Sequence, residues 1–226
     1  MLNPDSSIIL TYYAINHFRL LCDSKTASLS LNSICDLYEY ASTVRNNNSY
    51  YSRLRGHISN MVVAGQITVK DISKVKRQEN ILVHLSDSFF PTNKYVELTD
   101  EEINRILDLH CRTPASDILV VYLYVKSHIW REQGNDCAFY GRITNLCKTL
   151  HMTRDMADKC LDLCVACGLL VRSVTGKYKS KTKNTINAPN IYALNVGDKQ
   201  DIDNTIAKAE RKLRTRSKIK DNAPHA

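Results

Sequence analysis

The run Tyr50-Tyr51-Ser52-Arg53-Leu54-Arg55 sets two phenols, a hydroxyl and two guanidiniums within six residues. No carboxylate stands anywhere from Arg45 to Lys70. Tyrosine and arginine together suit phosphate oxygens and the polar edges of bases. A second basic set, Lys177, Lys179, Lys181 and Lys183, lies between two strand-like runs. Four ammonium groups so placed suit a phosphate backbone, and both sets point to nucleic acid ahead of an acidic membrane or protein.

Other residue groups could do chemistry, and their settings argue against it. Cys160, Cys164 and Cys167 form C-x3-C-x2-C, a spacing that lets three thiolates hold an iron–sulfur cluster. Such a motif belongs on a loop early in a barrel, whereas here it falls inside a helical pattern. Small buried cysteines are the expected outcome. A zinc site would need a fourth ligand, for which His151 is the only nearby histidine. The pair Tyr50–Tyr51 resembles the nucleophilic tyrosines of nicking enzymes, but those need an H-x-H pair that does not occur. Nor does G-x-x-x-x-G-K-[ST], G-x-G-x-x-G or H-E-x-x-H. His17, His57, His84, His110, His128 and His151 are scattered, and Glu101–Glu102 read as the first turn of a helix. The expectation is a protein with no catalytic site, no metal and no cofactor.

The elements that position the basic sets follow from periodicity. Measured back from Gly168, Cys167, Cys164, Leu161 and Ala157 form one inward stripe at helical steps. Thr153 offers an N-cap hydroxyl to that helix, and Gly168 suits the residue that ends it. A shorter helix precedes it, with Ile143, Leu146, Cys147 and Leu150 on one side. Residues 169–174 read as a strand, 175–183 as a basic turn and 190–196 as a returning strand. Upstream, residues 116–132 place Ile118, Val121, Tyr122, Val125 and Ile129 on one helical face.

The same ruler fits the first half of the chain. Measured back from Gly65, the offsets give Ala64, Met61, Ile58 and Leu54. Ile34 and Leu37 mark the shorter helix, residues 66–69 a strand, and Ile81–Leu85 the return. The turn between these strands carries Lys74, Lys76 and Arg77. Residues 7–22 supply a first helix, with Ile8, Tyr12, Ile15 and Leu20 or Leu21 inward. The interval from the first inward isoleucine to the glycine is 31 residues in this copy and 25 in the other, and residues 44–48 absorb the excess.

Helix, turn, helix and β-hairpin make a winged helix-turn-helix. The predicted fold is mainly α with small β-hairpin wings (α+β), in two tandem winged helix-turn-helix domains at 1–86 and 101–197. A linker at 87–100 joins them, and a basic tail helix or disordered tail follows at 198–226. Residues 95–196 resemble the winged-helix domains of plasmid and phage replication proteins and mobile-element regulators. ILVVYLYV, the helix-turn-helix through VACGLLVR, and NIYALN after a basic wing carry the likeness. It implies that the second helix of each turn enters the major groove of double-stranded DNA while the wing touches backbone or minor groove. The contacts expected in the first copy are Tyr50, Tyr51, Ser52, Arg53 and Arg55 with the wing residues Lys74, Lys76 and Arg77. One of the two tyrosines is expected to pack inward. In the second copy they are Arg142, Thr153, Arg154, Lys159 and the four wing lysines.

The charge distribution agrees with that partner. The chain has 226 residues and a formal net charge of +8. Residues 172–220 carry 13 Lys/Arg against four Asp/Glu, so all of the surplus lies there. Arg211 and Arg214 of the tail join the candidate contacts. Asp155, Asp158 and Asp162 oppose phosphate binding unless they are paired, and motivate a rival reading as a non-catalytic protein-binding inhibitor or adaptor. RNA binding through the tail is a weaker third. A cytoplasmic setting is expected from eight cysteines with no basic leader, and no membrane role from the lack of a long apolar run. The task implied is replication initiation at origin repeats, with transcriptional regulation as the alternative. A homodimer and the replication or transcription machinery are the further partners.

Overall fold

A computed structural model describes residues 8–37, 48–89, 96–131, 138–140, 143–174, 177–179, 185–187 and 190–221. Of these, 48–49, 130–131, 177–179, 185–187 and 214–221 are described by their backbone alone. The chain is mainly helical with small antiparallel sheets and divides into two compact units, Met1–Tyr95 and Val96–Ala226. Among the described residues no helix is long and apolar enough to cross a membrane.

The first unit runs α1 (Ile8–His17), β1 (Thr26–Leu29), α2 (Leu31–Leu37), α3 (Asn48–Val63), β2 (Ile67–Thr68), one turn of 3-10 helix (Ile72–Lys74) and β3 (Ile81–Leu85). β3 lies between β1 and β2 and is antiparallel to both. Ile81, Val83 and Leu85 point inward while Leu82 and His84 point out, the two-residue period of a half-buried strand. They meet Leu10, Ala14 and Ile15 of α1, Leu31 and Ile34 of α2, and Tyr51, Leu54, Ile58 and Met61 of α3 in one core.

Two expectations for this unit need correction. The first helix stops at His17 instead of reaching residue 22, because the chain turns back: the Leu20 amide donates to the Thr26 carbonyl and Arg19 bridges Ala27. Leu21 is therefore fully exposed, and Leu10, Thr11, Ala14 and Ile15 form the inward face of α1. Ala64 is also exposed, since α3 has already ended at Val63.

The second unit runs α4 (Asp100–Leu107), α5 (Ala115–Arg131), β4 (Ala138–Phe139), α6 (Ile143–Leu150), α7 (Arg154–Ala166), β5 (Leu170–Ser173), β6 (Lys177–Lys179), β7 (Thr185–Asn187), β8 (Ile191–Leu194) and α8 (Lys199–Asp221). β8 lies between β4 and β5, and β6 pairs with β7 as a separate ribbon. From α5 to β8 this repeats the order of the first unit, with a central strand that is again the last of three. Ile118, Val121, Tyr122, Val125 and Ile129 of α5 are all buried, as are Leu146, Ala157, Leu161 and Cys164.

Both second helices end in the same way. The Gln66 amide donates to the Met61 carbonyl and the Leu169 amide to the Cys164 carbonyl, around glycines at φ +68° and +72°. That six-to-one bond around a left-handed residue favours glycine, because a Cβ is crowded at positive φ, although α6 closes in the same way around His151 at φ +52°, with the Met152 amide on the Cys147 carbonyl.

α4 is held onto α5 by a nearly dry cluster. Thr99 and Glu102 form a capping box at the start of α4. Glu102 also accepts from Lys126 Nζ at 2.6 and 2.8 Å, and from the Tyr122 hydroxyl. Lys126 completes its donors on the Glu97 carbonyl at 2.7 Å. The two side chains are 11 and 14 % exposed, so neither charge is stable without the other. Burial raises the carboxyl pKa of Glu102, but the bonds from Lys126, Tyr122 and Thr99 outweigh it and hold the group below the usual range.

Gly56 lies inside α3 with nothing within 4 Å of a built Cβ, and no left-handed φ requires it. Gly56→Ala is therefore expected to raise unfolding stability by about 0.5–1 kcal/mol, while Gly168→Ala lowers it, both read from urea midpoints. Stability from Glu102 is complete above the ordinary glutamate pKa and lost as pH falls through the depressed value. Glu102→Gln is expected to flatten the acid limb of the stability curve below about pH 5, and to cost about 3 kcal/mol at neutral pH by stranding Lys126.

Candidate nucleic-acid interface

α3 has a clean division of faces. Tyr51, Leu54, Ile58 and Met61 are inward, leaving Ser52, Arg53, Ser59 and Asn60 exposed and Gly56 half-buried beside them. Ser52, Gly56 and Asn60 follow each other at steps of four and so share one row. Ser52 and Gly56 are the small groups of that row, and Arg53 stands exposed beside it. The sequence pattern around Tyr50–Arg55 does not single out Gly56, Ser59 and Asn60; the step of four from Ser52 is the signal that marks Gly56 and Asn60.

Tyr51 is corrected from contact to core. It is 1 % exposed, its hydroxyl donates to Asn32 Oδ1 at 2.9 Å, and the Arg77 guanidinium sits 4.1 Å from its ring centroid. One tyrosine of the pair thus packs inward, and Tyr50 stays half-buried, edge-on to it at 6.3 Å. The stacked, half-buried Arg77 secures this corner from the β2–β3 connection.

Arg55 is likewise corrected to a strut. Its Nε donates to the Ile72 carbonyl at 3.2 Å and its NH2 to the Val75 carbonyl at 2.9 Å. These are carbonyls of the 3-10 turn between β2 and β3, so a planar fork on α3 fixes that turn. The turn is braced further at both ends. Asp71 accepts from the Ser73 amide at 3.1 Å and from Lys74 Nζ at 3.2 Å. Glu79 accepts from the Lys76 amide at 3.0 Å and from Lys70. Hydrogen bonds from Ser73 and Lys74 hold the Asp71 carboxyl below its usual range, and Lys70 does the same for Glu79. Lys74 and Lys76 remain exposed on this braced turn.

The second unit presents a different surface. Thr153 is the N-cap of α7, its Oγ1 accepting from the Met156 amide at 3.3 Å. Arg154 is well exposed but lies 3.5 Å from Asp158, one turn along. Asp162 is paired with Arg172 of β5. Two of the three carboxylates on α7 thus have cations of their own, while Asp155 and Lys159 are exposed. Lys177 and Lys179 lie on β6, whose backbone pairs with β7. Arg142, Lys181 and Lys183 fall outside the described residues, and Arg214 is described by its backbone within α8. Arg211 is exposed on α8.

The cysteines of α7 are packing groups. Cys160 and Cys164 are buried, and burial pushes the Cys160 thiol up to about 12 and that of Cys164 well above its ordinary value. Thiols so placed stay protonated at neutral pH, whereas a metal needs thiolates. Among the described residues no group of three His, Cys, Asp or Glu is gathered closely enough to hold a metal ion.

No known protein family matches the sequence, and no curated protein or solved structure matches the chain.

Arg55→Ala is expected to speed amide exchange at residues 72–75 while α3 stays helical, since two charge-assisted bonds are lost for a total of about 2 kcal/mol. Arg55→Lys restores little of this, because one ammonium cannot serve both carbonyls in the same plane.

Proposed function

We propose that this protein binds double-stranded DNA through two winged helix-turn-helix units and performs no catalysis of its own. In the first unit α2 and α3 form the helix pair, α3 reads the major groove, and the braced turn before β3 is the wing. In the second unit α6, α7 and the β6–β7 ribbon correspond. The repeated strand order, with the last strand central in both sheets, supports this assignment of elements.

One observation carries the DNA reading: α3 exposes Ser52, Arg53, Ser59 and Asn60 on a face without a carboxylate, beside a wing carrying Lys74 and Lys76. Such a face meets no repulsion from phosphate, and its polar groups match base edges. Arg53 is the residue best placed for a bidentate bond to guanine. Because Arg55 ties the wing to the same helix, groove and backbone contacts are made by one rigid body.

The biological task is inferred from the resemblance of residues 95–196 to replication proteins of plasmids and phages. It is the initiation of replication at repeats in the origin of a mobile element.

Selection from randomised duplexes tests the reading. The wild-type chain is expected to enrich a short repeated motif. Arg53→Ala is expected to lower discrimination at one position by about 10- to 100-fold, equivalent to about 1–3 kcal/mol, and to change binding to random duplex little. A wild-type chain that enriches no sequence and binds duplex no better than a neutral protein would remove the proposal.

A further inference from the structure

α8 is placed by contacts that fix its direction. Ala209 is buried with Ala138 and Ile191, and Ile206, Leu213 and Tyr140 pack around them. Glu210 Oε1 accepts from Ser173 Oγ at 3.0 Å. Ser173 pairs with Ile191 across the sheet, at the end from which the β6–β7 ribbon leaves it. The helix starts near the other end, just after Leu194, and therefore runs back along β8. Leu213 is the last docked residue, and residues 214–221 continue beyond it for about 12 Å at the helical rise.

The chemistry of the helix changes where it leaves the sheet. The stripe Ile202, Ile206, Ala209 and Leu213 advances by four, three and four residues. Steps of three and four from Leu213 reach Arg216 and Lys220. The row that is apolar over the sheet is cationic beyond it. Six of the ten residues 211–220 are Lys or Arg, and none is Asp or Glu. A cationic row in line with a docked apolar stripe suits a polyanion. α7 offers no comparable surface, since two of its carboxylates hold Arg154 and Arg172.

We propose that the basic end of α8 clamps the DNA phosphate backbone without reading sequence. The proposal rests on the duplex-DNA reading above and assigns the second unit a different task from the first. Here α3 supplies selectivity, while α8 supplies affinity that is blind to sequence and steeply salt-dependent.

The test uses the full chain with Arg214, Arg216, Lys218 and Lys220 all changed to Gln, which keeps helix propensity and removes four charges. Binding is followed by fluorescence anisotropy on the selected duplex and on a random duplex across a salt titration. The slope of log K against log salt is expected to fall by about 3–4, at roughly 0.9 per phosphate contact. Affinity at physiological salt is expected to fall at least about tenfold on both duplexes, with the selected motif unchanged. An unchanged slope in the variant, while the wild type binds, overturns the clamp and leaves the reading of α3 standing. A loss confined to the selected duplex overturns it as well, because the contact would then be reading sequence. Tighter binding of a duplex RNA than of the matching DNA overturns the assignment to DNA. A wild-type chain that binds neither duplex defeats the underlying reading instead.

Discussion

The fork that Arg55 makes with the carbonyls of Ile72 and Val75 is the contact on which the geometry of the first unit turns. An arginine on the second helix of the pair reaches a loop that is distant in sequence and bonds backbone oxygens. Helix and turn then move together, and Tyr51 locks the same corner from below through Asn32 and the Arg77 guanidinium. Only with these groups engaged inside does the outer face of α3 have a fixed shape. Much of the positive charge of this segment therefore serves the fold, with Arg55 on backbone carbonyls and Arg77 over the Tyr51 ring.

Much of the architecture was legible because local physics wrote it. Gly65 and Gly168 end their helices at positive φ, Thr153 caps α7, and the alternation of Ile81, Val83 and Leu85 marks β3. β1 and β4 were not legible. At four and two residues they are too short to show a period, and pairing with β3 and β8 makes them strands. The length of the first helix was overestimated for a related reason: the bonds that Leu20 donates to Thr26 and that Phe18 accepts from Ser28 are non-local, and no propensity in residues 18–22 announces them.

The candidate site was legible in its chemistry and less so in its division of labour. Composition marked residues 50–55 and the absence of carboxylates around them. It could not separate an arginine that faces outward from one whose acceptors are carbonyls 17 and 20 residues away. On α7 the three aspartates read as an acidic face, yet Arg154 and Arg172 draw two of them into pairs. The partner of Asp162 stands ten residues on, across a helix-to-strand turn that only the fold brings round.

The outward faces of the two sheets differ in one further way. In the first unit that face carries Leu82 and His84, both exposed, whereas the equivalent face of the second holds Ala138, Ala193 and Ile191, all hidden. α8 hides them, and it follows every strand it covers in chain order. During synthesis the second unit must therefore wait, its sheet oily on one side, until about residue 213 has left the ribosome. Any event that severs the chain between β8 and α8 would leave a sticky fragment prone to self-association.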